Sequence, residues 1–389
     1  MLVLDELLRI MVRDGGSDLI LKTGGFPALR VHGLIRYLSD ERIDSALANQ
    51  TIGVLLDQRS QETFAKDGQA DCAYELKDVG RFRVNAFRQG GEPAFVLRFI
   101  RKDVPDFRDL SLPVDQLKQL AQRKRGLVLA TGIAGSGKST TLASMIEFVN
   151  RTTSRHIVTV EDPIEFQFED KLSVINQREV GIDTPDFPQA LKACMRQSPD
   201  IIFLGELRDR ETVEAAISAA ETGHLVFSTM HTVNAVQTVE RFLTFFPPHQ
   251  HTLIRLQLSL NLAGVISLRL IRRTDNNGLV PAVELLLSTP SVREILAEGR
   301  TQELTKTIAD GQYYGTQTFN QSLRQLYETQ NISYDDAIAN SDNPDELKML
   351  FRGIQTGSKI DNQALAGTPE AVPAGSSFTS GAASFRKKF

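Results

Sequence analysis

Apolar and polar positions change rhythm partway along the chain. In the opening stretch, MLVLDELLRIMVRDGG, Leu4, Leu7, Leu8, Met11 and Val12 recur at helical spacing. That predicts an amphipathic helix closed by Gly15 or Gly16. ALRVHGLIRYL predicts a strand, a turn and a second strand. RFRVNAFRQGGEPAFVLRFI alternates about Gly90-Gly91 and predicts a hairpin, with Phe82, Val84 and Ala86 on one face and Arg81, Arg83 and Asn85 on the other. Residues 1–100 therefore read as a small mixed α/β domain. The polar segment RKDVPDFRDLSLP, residues 101–113 with two prolines, reads as a linker.

From about residue 114 short apolar runs alternate with helical periods. GLVLAT (126–131), IVTV (157–160), IIFL (201–204) and LVFS (225–228) are apolar almost throughout. Such runs predict strands buried on both faces, hence a parallel sheet covered by helices. Val213, Ala216, Ile217 and Ala220 follow helical spacing, with Asp209 placed to cap that helix and Gly223 to end it. After about residue 245 helical character is expected to dominate, up to about residue 355. Residues 356–389 are rich in Ala, Gly, Ser and Pro, lack an apolar period, and are expected to form a disordered tail.

Bulk composition narrows the function classes. The 389 residues suffice for two domains with separate cores. Apolar residues make up 41% and charged residues 24%, an ordinary globular balance. A net charge of −4 gives no general attraction to nucleic acid or an anionic bilayer. Cys72 and Cys194 are the two cysteines, so a four-cysteine zinc site is excluded and a reducing compartment is expected. The N-terminus lacks a basic region before its apolar residues and is interrupted by Asp5 and Glu6, unlike an export signal. No run of about 18 apolar residues occurs. The expectation is a soluble cytoplasmic protein without membrane insertion.

Candidate chemistry begins at GIAGSGKST. Gly132, Ile133, Ala134, Gly135, Ser136, Gly137, Lys138 and Ser139, followed by Thr140, fit G-x-x-x-x-G-K-S/T. Glycines let successive backbone N–H groups face one anion, and a helix starting near Lys138 adds its positive end. Lys138 would reach the β- and γ-phosphates of a nucleotide and the Ser139 hydroxyl would ligate Mg²⁺. The preceding apolar run and the following STTLASMIEFVN supply the expected strand and helix.

Three further stretches carry suitable side chains. PDIIFLGELRD is an apolar strand ending at Gly205-Glu206, where the carboxylate can bind Mg²⁺ through water; alone it would read as an ordinary strand-end acid. VTVEDPIEF holds Glu161, Asp162 and Glu165 just after a buried strand, either to orient an attacking water or as a solvated acidic loop. TGHLVFSTMHT brackets an apolar strand with His224 and His231, spaced wrongly for a metal site on one helix. A neutral imidazole at the strand tip could instead sense the γ-phosphate. Arg81, Arg83 and Arg98 on the hairpin could neutralise transition-state charge, although spacing alone favours a solvated strand face.

In combination these residues resemble a known family. The phosphate loop, EDPIEF, GELRDRET and AAETGHLVFSTMHT stand in the order and spacing of the secretion ATPases of type II/IV systems, and most closely of the type IV pilus retraction ATPases, the PilT/PilU group. GGSDLIL, GRFRVNAF, INQREVGIDT and MRQSPDIIFLGE extend the resemblance over roughly residues 1–355. It implies an α/β fold with a RecA-like P-loop NTPase domain and a smaller PAS-like α+β N-terminal domain. It implies ATP and Mg²⁺ as cofactors, with nucleotide between the two domains. Lys138 and Ser139 take the Walker A roles, Glu165 that of the catalytic glutamate in an acidic box at 161–165, and Glu206 the Walker B role. The histidine box falls on His224 to His231, with His231 nearest the γ-phosphate, and Arg83 and Arg98 correspond to arginines that reach the nucleotide from the N-terminal domain.

The resemblance also implies a homo-hexamer that drives pilin removal through an inner-membrane platform protein, at the cytoplasmic face of the inner membrane. The missing tetracysteine module favours retraction over extension. SVREILAEGR where AIRNLIRE is usual, ISYDDAIANSDNPDELKMLFRG and the extra tail point to the PilU branch, acting beside a PilT-type paralogous ring. Two rival classes remain at this stage. A nucleic-acid-translocating RecA-like motor would need a basic, aromatic-bearing groove, but tryptophan is absent and no basic cluster stands out. A non-hydrolysing scaffold on a partner ATPase ring would not need the acidic and lysine positions present here.

Overall fold

The computed structural model describes residues 4–31, 34–275 and 278–353. The first unit opens with α1 (Leu4–Arg13), which buries Leu7, Leu8 and Met11 and sets Asp5 and Glu6 in its first turn and Arg13 in its last, matching the helix dipole. It continues through β1 (Asp18–Lys22), β2 (Ala28–Val31), β3 (Leu34–Tyr37), α2 (Ser45–Leu55), α3 (Gln58–Asp67), β4 (Gln69–Leu76), β5 (Gly80–Gln89) and β6 (Glu92–Ile100). The strands form an antiparallel sheet in the order β3-β2-β1-β6-β5-β4. Between β5 and β6, Gly90 and Gly91 have φ of 62° and 87°. Two consecutive positive φ values define the tight hairpin turn that the Gly-Gly pair predicted. Phe82, Val84 and Ala86 are fully buried beneath α2 and α3, as their alternation required.

Residues 101–113 are not a free tether. Phe107 and Leu112 are buried in the core of the second unit, and Arg101 forms a parallel bridge with Phe166. Two apolar anchors in thirteen mostly polar positions hold the connection down. Arg81 adds an ion pair across the junction, 3.6 Å from Glu179.

The second unit runs through α4 (Val114–Ala121), β7 (Gly126–Thr131), α5 (Lys138–Thr152), β8 (His156–Glu161), β9 (Val174–Glu179), α6 (Phe187–Cys194), β10 (Ile201–Leu204), α7 (Arg210–Glu221), β11 (Leu225–Met230), α8 (Ala235–Thr244), α9 (His251–Asn261), β12 (Leu262–Arg272) and β13 (Leu279–Leu287). The sheet order is β13-β12-β7-β11-β10-β8-β9, with β13 antiparallel to β12 and the other neighbours parallel. The four apolar runs are its central strands, completely buried from Leu127 to Thr131 and from Leu225 to Ser228. Asp209 caps α7 by accepting from the Thr212 N–H. Helices on both faces complete two apolar cores.

After residue 245 helices dominate, as the spacing predicted, but not to the exclusion of strands. β12 and β13 add two long strands, paired from Gly264–Leu287 to Arg272–Leu279. α9 runs into β12 without a break, so no turn residue punctuates the change of period. Pro281 argues against a central strand, yet β13 is the sheet edge and needs no further amide partner there. Helices α10 (Pro290–Glu298), α11 (Leu304–Asp310), α12 (Phe319–Glu328), α13 (Tyr334–Ala339) and α14 (Pro344–Phe351) follow, and Phe319, Leu323 and Leu347 pack on Ile271, Val280 and Ala282. The expected tail at 356–389 lies outside the described residues.

Candidate active site

β7, β8, β10 and β11 are parallel, so their C-terminal ends meet on one side of the sheet, the usual place for a ligand in such a fold. The chain leaves β7 at Thr131 and turns through Gly132, which has φ of 146°. A Cβ there would lie 2.4 Å from Ser136 Oγ and 2.6 Å from the Leu268 carbonyl oxygen, so only glycine lets the loop curl this tightly. Gly135 and Gly137 also adopt positive φ, and α5 begins at once, its N-cap Gly137 giving no side-chain hydrogen bond. The first amides of α5 therefore keep their donors for something outside the helix.

Lys138 is buried, and its Nζ donates to the Gly132 and Ile133 carbonyls at 3.0 and 2.9 Å. Burial lowers its pKa, while the charges of Glu206 and Glu165 oppose that change. The Ser136 hydroxyl is buried without a hydrogen-bond partner among the described residues. Ser139 Oγ donates to Glu165 Oε1 at 2.9 Å.

The acidic segment after β8 divides into distinct parts. Glu161 is buried and accepts from Thr159 Oγ1 at 2.7 Å, Gln177 Nε2 at 3.2 Å and the Glu165 backbone N–H at 3.4 Å. Burial raises its pKa to about 7 against those hydrogen bonds. Glu161 thus anchors the loop, and Glu165 at its far side meets Ser139.

Glu206 follows β10, held by the Gly205 N–H donating to the Val160 carbonyl at 2.8 Å. Its Oε2 accepts from Arg208 Nε at 2.8 Å and lies 3.5 Å from His231 Nε2. Arg208 also comes within 3.7 Å of Asp162, bridging two acidic segments. The cleft among these groups has a volume of about 420 Å³. Ala134, Gly135, Gly137, Lys138, Ser139, Thr140, Glu165, Glu206 and His231 all line it. Among the described residues no group of three or more His, Cys, Asp or Glu side chains could cage a metal ion. One hydroxyl and one nearby carboxylate suit a cation that takes its remaining ligands from water and phosphate oxygens.

The family model described as "Type II/IV secretion system protein" matches residues 56–366. The chain belongs to that family. It is 38% identical over 362 residues to the type IV pilus ATPase PilU of Pseudomonas aeruginosa, covering 93% of this chain and 94% of that protein. It is 39% identical over 332 residues to the type IV pilus retraction ATPase PilT of the same organism, covering 85% and 96%. A crystal structure of the pilus retraction motor PilT with bound ADP superposes with a TM-score of 0.84 at 41% identity, covering 90% of this chain and 99% of that one. The α/β architecture of an ATPase domain joined to a smaller N-terminal domain is thereby shared with a secretion-family motor.

Within this secretion-family fold the predicted site residues separate into three groups. Lys138, Ser139, Thr140, Glu165, Glu206 and His231 converge on the cleft. Gly132, Ile133 and Ser136 shape the loop without lining the cleft, and Ile133 points outward. His224, Arg83 and Arg98 lie elsewhere. His224 precedes β11 at the opposite edge of the sheet and its Nδ1 contacts the Ala219 carbonyl at 3.0 Å, so the histidine box is not a single cluster. Six strand residues, about 20 Å of extended chain, separate it from His231. Arg83 lies 3.6 Å from Asp71 and Arg98 Nε donates to Asp18 at 2.8 Å, both on the N-terminal sheet. Sequence reasoning missed Arg208, whose only signal was its place two residues after Glu206.

Proposed function

We propose that this chain is an ATP-hydrolysing motor subunit that powers type IV pilus retraction. One observation carries the reading: Lys138, Ser139, Glu165, Glu206 and His231, from four separate segments, line a single cleft in a chain that matches PilU and PilT over most of its length. The loop amides and Lys138 bind the β- and γ-phosphates, with Lys138 giving up its two carbonyl partners to do so. Ser139 and Glu206 hold magnesium, Glu206 through water. Magnesium, when bound, supplies positive charge that neutralises the phosphate oxygens. Glu165 orients the attacking water and His231 reads the γ-phosphate. Arg83 and Arg98 reach the nucleotide only when an N-terminal domain moves toward a cleft, since both are paired on their own sheet.

The proposed domains are residues 1–100 and 114–355, joined by 101–113. Six such chains form the ring, which works on an inner-membrane platform protein from the cytoplasmic side. No helix of the described residues is long and apolar enough to cross a membrane. The longer alignment with PilU supports an accessory role beside a PilT-type ring.

Two measurements test this. Purified chain should release phosphate from ATP in the presence of magnesium, and Lys138→Ala should abolish it. Deleting the gene should leave excess surface pili with lost or weakened twitching; bald cells would instead indicate extension.

A further inference from the structure

A buried polar relay lies behind the cleft, on the side away from Glu165. Thr131, the last residue before the phosphate loop, is in register with Ser267 on β12, and Ser267 with Glu284 on β13. Thr131 Oγ1 donates to Ser267 Oγ at 3.0 Å, and Ser267 Oγ to Glu284 Oε1 at 3.4 Å. All three side chains are buried. The same carboxylate oxygen accepts the Ala235 backbone N–H at 2.7 Å. Ala235 is the first residue of α8, where helix amides have no internal partner and the dipole favours an anion.

The start of α8 in turn fixes the loop that carries His231. Thr232 Oγ1 meets Thr238 Oγ1 at 2.7 Å, the Val233 N–H donates to Gln237 Oε1 at 2.7 Å, and Asn234 caps the helix by accepting from the Gln237 N–H at 2.9 Å. Every residue between His231 and Ala235 is therefore tied to the first turn of α8. Burial, the largest influence, raises the pKa of Glu284 to about 7; Asp342 reinforces the rise, while the Ala235 N–H, Arg269 on β12 and the Ser267 hydroxyl oppose it. Arg269 is itself engaged by the Asn340 carbonyl and Asp342. A buried acid without a bonded cation is costly unless hydrogen bonds offset its lost hydration, as those from Ala235 and Ser267 do here.

We propose that Glu284 is a positioning residue of the nucleotide site, bracing the His231 loop against the phosphate-loop strand. It touches no nucleotide. It sets the distance between the strand that presents Lys138 and the loop that presents His231, by holding Thr131 through Ser267 and Ala235 directly. The proposal rests on the reading of the cleft as an ATPase site, and deepens it.

The test compares Glu284→Ala with Glu284→Gln in the full-length chain. Glutamine keeps an oxygen for the Ala235 N–H; alanine leaves that buried donor unpaired. Expected for Glu284→Ala is a kcat reduced about 10- to 100-fold, with KM for ATP within about threefold, because positioning is lost while the phosphate loop remains. Amide hydrogen exchange across residues 231–235 should accelerate. Glu284→Gln should restore kcat and exchange to within about threefold of the parent. Parental kcat and exchange in a folded Glu284→Ala chain would overturn the proposal, as would a Glu284→Gln defect equal to that of alanine. Should the alanine variant not fold, Ser267→Ala removes the hydroxyl between Thr131 and Glu284 and leaves the Ala235 N–H on the carboxylate. Its kcat should fall in the same direction as the alanine variant's, and parental turnover would refute the brace. A parent chain with no turnover would instead sink the ATPase reading, while the exchange data still decide the brace.

Discussion

The Ser139 hydroxyl and the Glu165 carboxylate are hydrogen-bonded at 2.9 Å across 26 residues of chain. The bond joins the phosphate loop to the acidic segment after β8 and places the two groups proposed to handle magnesium and water side by side. Replacing Glu165 by Gln preserves size and hydrogen-bonding capacity but removes the charge. ATP affinity should change little and kcat should fall about 10²–10⁴-fold, the range for a general base. Turnover at the parent rate would remove Glu165 from the mechanism.

Glu206 gathers two cationic or potentially cationic neighbours on one oxygen, Arg208 at 2.8 Å and His231 at 3.5 Å. Glu206→Ala should spare nucleotide binding and slow hydrolysis by about 10–100-fold, the usual cost of losing an outer-sphere metal partner. A magnesium titration should show the defect as a raised metal requirement. Hydrolysis indistinguishable from the parent would show that this carboxylate is not part of the site.

Gly132 is the tightest point of the loop. Gly132→Ala would bring a Cβ against Ser136 Oγ and the Leu268 carbonyl at a φ that side chains rarely adopt. It should destabilise the chain by about 1–3 kcal/mol, read from denaturant unfolding. It should also weaken nucleotide binding. Gly135→Ala meets no atom within 4 Å of its Cβ and should cost less, through its positive φ alone. Equal effects at the two positions would contradict the packing argument.

Burial of Glu161 links stability to pH. Its pKa rises from 4.5 to about 7 on folding, so the native chain holds a proton that the unfolded chain releases across that interval. Its contribution to stability is fully present below about pH 4.5 and is lost as pH rises through about 7, a change on the order of 3 kcal/mol. Glu165, the nearest carboxylate acting on it, reinforces the rise. Glu161→Gln, which cannot ionise, should shrink the difference between unfolding midpoints at pH 5 and pH 8. An unchanged difference would mean that Glu161 is ionised in the folded chain throughout.

Much of this protein is written in short stretches. The phosphate loop, the central strands, the hairpin at Gly90-Gly91 and the cap at Asp209 depend on backbone preferences and periodicities spanning a few residues, and each formed where its pattern stood. What local pattern left open was settled by distant partners. Glu161, Asp162 and Glu165 look alike in sequence; only packing made the first a buried anchor and the last a neighbour of Ser139. Arg83 and Arg98 alternate as strand residues must, but Asp71 and Asp18 decide where their charge goes. β12 and β13 became strands because β7 offered an edge to β12 and β12 one to β13, and that pairing also placed Glu284 behind the site. Local conformation follows from near neighbours because its steric and hydrogen-bonding terms are short-ranged. Burial, charge pairing and sheet order depend on residues from about a dozen to more than a hundred positions apart, and only the folded chain brings those together.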